Sequence, residues 1–430
     1  MIMKKTRKDL SAEGLVKAIR SKFKKIKDPL NRNGKISMLD CLMSCFAIFS
    51  LKYSSLLQYE IEKKEFKTSE NFKRLYLVKN PPSDTYMRER LDTLDPKEIK
   101  GAFKKIFSLI QRGKDLESYQ YLDGHYILSI DGTGHYSSEK VNCKNCCIKN
   151  HKNGKKTYYH QMLGAVIVHP EKKVVIPLCP EPIQKKDGST KNGCERNASK
   201  RLLEDVRREH PHLKIMVVED ALASNAPHIK LIEKLSMKYI IGVKPKDHEY
   251  LFDWVKHLEK NEYEYTDEKE THHKFSFVNG VPLNYANDDL KVNFIEYWET
   301  DKKGKIKHFT WITNVEITRK NVYKLMRGAR SRWRIENETF NTLKNQGYNF
   351  EHNFGHGKEN LCSVMGLIMM LAFLVDQTQL LCCRLFQHAK NGNAFFRLWD
   401  IMRSFFRFFD ISSWNDLFYG IAYGKIPDTS

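Results

Sequence analysis

The sequence predicts an α/β protein whose mixed sheet is covered by helices on both faces, with a helical N-terminal region and a β-rich insertion. Three observations predict it. The apolar pattern changes period at Tyr126, from helical spacing to short apolar runs. From there the order reads three strands, helix, strand, helix, strand, which a mixed sheet with covering helices satisfies. Finally, residues 247–308 reverse the charge of an otherwise basic chain and stand apart as a module.

At 430 residues the chain has room for two or three units, and 41% hydrophobic residues can fill real cores. Its 73 Lys and Arg against 52 Asp and Glu leave +21. Such a surplus points to a polyanion, nucleic acid before anionic membrane. Residues 247–308 hold 14 acidic and 9 basic residues, a net of −5, so the remainder carries +26. The largely apolar run Leu361 to Val375 is 15 residues long, short of the ~20 that cross a bilayer. Met1 to Lys8 is charged and no apolar core follows it, so no signal peptide is expected. The ten cysteines are therefore expected as reduced thiols in a cytoplasmic protein with no membrane role.

Residues 1–120 read as helical and basic at the start (Lys4, Lys5, Arg7, Lys8), either a DNA-docking domain or a solvated helical layer. Met38 to Leu51 is a buried helix. Pro81-Pro82 ends one segment, and Ser83 or Asp84 caps the next, Thr85 to Leu94. Tyr126 to Ile130 forms a strand ending in the turn Asp131-Gly132-Thr133-Gly134. Tyr158 to His169 and Lys173 to Leu178 continue an antiparallel meander. A helix over Asn197 to Glu209 precedes a strand from Lys214 to Val218, which runs into Glu219-Asp220. A helix to about Leu235 and a strand at Tyr239 to Val243 follow. Residues 121–246 thus form the first part of the sheet domain and 247–308 an insertion of short strands and turns. Residues 309–386 complete the domain: Phe309 to Thr313 returns to the sheet, and a long helix starts near Lys320. The apolar helix from Leu361 is core. Residues 387–430 are an aromatic C-terminal region, read as packing at the edge of the core or as a dimer or DNA contact.

The long helix carries R-S-R-W-R-I-E-N-E-T-F-N-T-L-K, from Arg330 to Lys344. At about 100° per residue, Arg332, Phe340 and Leu343 fall within about 40° of Glu336 and Trp333 within about 60°. Glu336 is thus expected on the inward stripe and Glu338 opposite it. A carboxylate on such a stripe is costly unless it binds something. Asp131, Asp220 and Glu336 can converge at one sheet edge, where three carboxylates repel one another unless cations neutralise them. Two Mg²⁺ ions in such a site can activate a nucleophile and stabilise the leaving oxygen of a phosphoryl transfer. The abundant Lys and Arg would hold the DNA backbone.

These residues resemble the DDE transposases of bacterial insertion sequences, which have an RNase H-like (retroviral integrase-like) catalytic fold. More narrowly, the chain resembles the branch in which a β-rich insertion separates the last strand from the helix bearing the Glu. The resemblance covers Tyr126 to Leu374. It implies that Asp131, Asp220 and Glu336 are catalytic ligands of Mg²⁺ or Mn²⁺. It further implies that Arg332 and Lys344 contact DNA phosphates, and that double-stranded DNA, both element ends and target, is the partner. A homodimer in the DNA complex follows, because two ends must be brought together, and the protein would be nucleoid-associated when bound. The branch signature is Y-x2-R-x3-E-x6-K. Arg332 and Glu336 match it, whereas Ala329 replaces the Tyr and Lys344 follows Glu336 after seven residues. Two registers stay open: Glu336 with a displaced Lys, or Glu338 with Arg334 and a shorter gap. The implied activity is cleavage at mobile-element ends and strand transfer into target DNA. The alternatives are a non-catalytic DNA-binding derivative and a metal-dependent nuclease without strand transfer.

Three further patterns carry chemistry. Cys143-x2-Cys146-Cys147-x3-His151 has the spacing of half a structural zinc site, which His135, His160, Cys179 or Cys194 would have to complete from a distance. Buried or incidental thiols are the other reading. Asn197 and Arg201, near a helix start, suit a phosphate or serve as ordinary capping. His352 and His356 follow the Glu336 helix toward the active site or the DNA. The glycines beside them argue against a helical metal-ligand pair.

Overall fold

A computed structural model describes residues 7–30, 35–188 and 191–424; Lys4 and Lys5 of the basic start lie outside them. The N-terminal region is helical as expected, with helices at Ala12–Phe23, Met38–Ser50, Leu56–Glu62, Phe66–Leu75, Asp84–Asp92 and Lys100–Gly113. Serine starts four of them: Ser11, Ser37, Ser55 and Ser83 each accept a backbone N–H of the first turn, which satisfies an otherwise orphaned donor.

The sheet strands are β1 (Tyr126–Ser138), β2 (Cys147–Asn150), β3 (Lys156–His169), β4 (Lys172–Pro177), β5 (Glu181–Ile183), β6 (Ile215–Glu219) and β7 (Lys238–Gly242). The insertion and return strands are β8 (Asn261–Thr266), β9 (His272–Asn284), β10 (Asn287–Thr300) and β11 (Ile306–Thr313). The order is β2-β3-β1-β6-β7-β11-β10-β9-β8, with β4 and β5 also on β3. β1 is antiparallel to β3 and parallel to β6, and β6 is parallel to β7. Tyr126 to Ile130 is buried at every position, as a central strand covered on both faces requires.

The meander expected from the sequence is present, but β2 and β5 add to its three expected strands by pairing with β3, and β1 does not end at Asp131. It runs on to Ser138, with a register shift between Gly134 and Tyr136. Pairing with β3 carries the Asp-Gly-Thr-Gly stretch through as strand, overriding its local turn preference.

The insertion is built of longer strands than its composition suggests, preceded by a helix at Glu249–His257. It does not form a detached sheet. β11 pairs with β10 on one side and with β7 on the other, so Trp311 to Thr313 joins insertion and main sheet. Stacked rings of Phe275, Tyr297, Phe309 and Trp311 cover this junction.

The Leu361–Cys382 helix is 22 residues long, beyond the 15-residue apolar run, and is apolar and long enough to cross a bilayer; its apolar window is wholly buried in the protein. It packs between the Met38–Ser50 helix and β4. Its buried Asp376 is paired with Lys52 and accepts the Tyr348 hydroxyl at 2.6 Å. An isolated buried charge would be prohibitive, and this pairing removes it. The aromatic C-terminal region forms helices at Phe395–Phe408 and Trp414–Tyr423 that pack on the N-terminal helices. Asn71 donates to the Phe406 carbonyl at 3.0 Å, and Tyr76 meets Trp414 edge-on at 5.2 Å.

Candidate active site

The β1–β6 ladder ends at Ser129 opposite Val218. Two residues beyond that pair come Asp131, still within β1, and Asp220, just past the end of β6. Asp131 keeps the face of Ser129, as alternation along a strand requires, and the two aspartates border one small pocket. β6 stops at Glu219, so Asp131 has Gly164 of β3 on one side and no ladder partner on the other. Asp220 caps a short turn, accepting the Leu222 N–H at 2.9 Å.

Glu336 reaches the same face from the C-terminal half of the domain. The Val322–Arg330 helix breaks at Ser331 and Arg332, and Ile335–Phe340 is wound as a π-helix before Asn341–Asn345 resumes α-helical form. The Ser129 hydroxyl donates to the Arg332 carbonyl at 3.0 Å, fixing the break on β1. Gly164 allows the close approach: a Cβ there would lie 2.9 Å from the Phe340 ring and 3.4 Å from Ile335. Arg332 then bridges two carboxylates, with Nη1 3.3 Å from Asp131 and 2.7 Å from Glu336.

The inward stripe differs from expectation. Ile335, Thr339, Phe340 and Leu343 are buried, whereas the Glu336 side chain is 48% exposed. The π-turn changes the phase that a uniform helix would have. Glu336 therefore lies beside the stripe, turned toward Asp131. Glu338 faces a different groove, paired with Arg334 at 3.3 Å and lined by Glu299, Arg330 and Trp333. The Lys344 ammonium is 2.8 Å from Glu351, two turns beyond Glu336.

Burial pushes the Asp131 carboxyl up to about 6; Arg332 and the Gly132 N–H oppose this, while Glu336 and Asp220 add to it. The site is thus short of positive charge. Asp131, Asp220, Gly132, Glu195, Arg196 and His228 line one small pocket. Asp220 and Arg196 also border a wider groove with Lys244, His248, Tyr250 and Tyr285. Behind it, His228 and Glu219 meet at 2.6 Å. Burial lowers the His228 pKa, but the charge and hydrogen bond of Glu219 outweigh that and leave it raised. Gly164 and Lys244 escaped sequence reasoning, since only strand pairing and loop packing bring them here. Arg201 is not available for a phosphate, because Glu181 and Asp187 hold it at 2.8 and 2.7 Å.

A second constellation lies farther along β1. Cys143, Cys146, His160 and His356 bring their ligand atoms within 4.8 Å of one another, an arrangement able to hold a metal. Two expected members are absent from it. Cys147 opens β2, where neighbouring side chains point to opposite faces, and its thiol turns to the Ile183 carbonyl. His151 lies past the end of β2 and bonds Thr157 at 2.7 Å. His356 joins in their place, from a loop whose glycines had argued against a metal role, while His352 meets the Phe354 ring edge-on at 4.8 Å.

The family model described as Transposase DDE domain matches residues 123–374. No curated protein matches the chain.

Proposed function

The chain belongs to the transposase DDE-domain family, and from that membership we propose that it cleaves DNA at the ends of a mobile element and joins the freed 3′-hydroxyl to target DNA. The observation that carries the proposal is the convergence of Asp131, Asp220 and Glu336: the two aspartates line one pocket, and Arg332 ties the glutamate to Asp131.

The donor set fits divalent cations. All three groups are carboxylates, and Asp131 is disfavoured as an anion by burial and by the other two. Mg²⁺ or Mn²⁺ held by Asp131, Asp220 and Glu336 would supply charge neutralisation and activate the attacking oxygen. Arg332 partly neutralises the site beforehand, and from the same position it can hold a scissile phosphate. Arg196 and Lys244 line the adjoining groove, where a nucleic-acid backbone would be neutralised. Lys344 serves as a further phosphate contact on the outer end of the helix.

In this reading the helical region up to residue 120 helps recognise the ends, residues 247–308 are an insertion in a catalytic domain spanning 121–386, and two copies act together on paired ends. The protein works in the cytoplasm, on the nucleoid. The test is cleavage and strand transfer on the element's own ends with Mg²⁺ or Mn²⁺. Cleavage without joining would leave a nuclease, and intact DNA binding without cleavage would leave a DNA-binding protein.

A further inference from the structure

The four-residue Cys/His cluster has no part in the proposed chemistry, and its geometry is specific. Cys143 and Cys146 lie between β1 and β2, His160 lies on β3, and His356 lies beyond the Glu336 helix. The two sulfurs are 3.8 Å apart. His160 Nε2 is 3.4 Å from the Cys143 sulfur and 3.3 Å from that of Cys146. His356 Nε2 is 3.2 Å from the Cys146 sulfur and 3.2 Å from His160 Nε2.

A tetrahedral zinc ion has Zn–S near 2.3 Å and Zn–N near 2.0–2.1 Å, so its ligand atoms are separated by about 3.8 Å for two sulfurs, about 3.3 Å for two nitrogens and about 3.5 Å for mixed pairs. The observed separations follow that pattern. The surroundings also suit a metal. The Cys143 N–H points at the Cys146 sulfur at 3.4 Å. His356 Nδ1 faces the Gly357 carbonyl at 2.9 Å, so it carries the proton and leaves Nε2 a lone pair. Cys146, His160 and His356 are buried.

The loop that delivers His356 is shaped for it. Gly355 and Gly357 adopt φ of +134° and +71°, and a Cβ on Gly357 would lie 2.4 Å from an Asp92 carboxylate oxygen. That carboxylate accepts the N–H groups of Lys358, Glu359, Asn360 and Leu361 at 2.8 to 3.0 Å. The backbone that follows His356 is therefore held, and His356 is presented to the two cysteines.

We infer that Cys143, Cys146, His160 and His356 bind one Zn²⁺, which fastens the segment following the Glu336 helix to the antiparallel β1–β3 pair that carries Asp131. Two thiolates and two imidazoles select zinc over Mg²⁺, and four protein ligands close the site, as in structural centres. Binding displaces the thiol protons and adds its free energy to folding. The inference stands apart from DNA chemistry, because metal content is read without any substrate.

The wild-type protein, purified from zinc-replete medium without chelator, should contain about one zinc per chain by elemental analysis. The Cys147→Ser and His151→Ala variants should retain it, and Cys146→Ser and His356→Ala should lose it. Loss of zinc in a variant can accompany unfolding, so the intact protein is also read directly. Replacing zinc with Co²⁺ should give the intense visible bands of tetrahedral cobalt and a thiolate charge-transfer band, saturating at one equivalent. Only trace zinc in the wild type together with no tetrahedral cobalt spectrum would overturn the inference. Full zinc retention in a folded Cys146→Ser/His356→Ala double variant would do so too.

Discussion

Arg332 stands 3.3 Å from Asp131, a residue 201 positions earlier in the chain. From there its guanidinium also reaches Glu336, so one cation serves two carboxylates of the candidate site. Replacing Arg332 by Ala should lower DNA cleavage by about 10²-fold, the usual cost of removing one charge-stabilising donor. The apparent affinity for Mn²⁺ should rise, because the competing cation is gone. Steady-state cleavage measured across a Mn²⁺ titration checks both; a parallel loss of rate and metal affinity would contradict the bridging role.

The two glutamates of the helix should separate cleanly. Glu336→Gln should reduce cleavage by about 10³-fold, the upper range for loss of a transition-state electrostatic contact. Glu338→Gln, which disturbs only the pair with Arg334, should keep the rate within a few-fold. Single-turnover cleavage with both variants decides the register, and the reverse pattern would assign the site to Glu338.

Asp131 predicts a pH dependence of stability. Its carboxyl is raised from 3.8 to about 6 in the folded chain. Between those values the folded state keeps a proton that the unfolded state has lost, so stability falls as pH rises through the window. Asp131→Asn should therefore stabilise the divalent-free protein above pH 6, by about 1–2 kcal/mol after allowing for partial exposure. Thermal melts at pH 5 and pH 8 test this. Added Mg²⁺ should raise the wild-type midpoint more at pH 8, and should barely move the variant.

Gly164 is where the helix and sheet come closest. Gly164→Ala forces a Cβ to 2.9 Å from the Phe340 ring and should destabilise the fold by about 1–3 kcal/mol, the range for an overpacked core. Adding Phe340→Leu should recover part of that loss. Denaturant unfolding of the two single variants and the double variant measures the coupling, and strict additivity would refute the contact.

Much of this site was legible in local pattern. Asp131 and Asp220 stood out at the ends of apolar runs, whereas Arg-x3-Glu spacing occurs twice, as Arg332/Glu336 and Arg334/Glu338, and left two registers open. The Cys143-x2-Cys146 pair announced half a metal site. Each of these signals spans only a few residues, where period and spacing report directly on one strand, one helix or one turn. Even there, local preference misled at Asp131, whose turn-like Gly132-Thr133-Gly134 neighbours are held as strand by β3.

The sequence by itself determined the change from a helical start to a mixed sheet, the net basic charge and the residue types able to carry the chemistry, but not the short strands β2 and β5. Only the tertiary structure decided which partners meet. The pairing of β1 with β6 brings Asp131 and Asp220 to one pocket, and Arg332 links Glu336 to Asp131. The close approach over Gly164 permits it, and a glycine-flanked loop brings His356 to Cys146. These relationships join residues up to 210 positions apart. They depend on strand pairing and core packing, whose energies are summed over the whole fold and leave no mark in any short window of sequence.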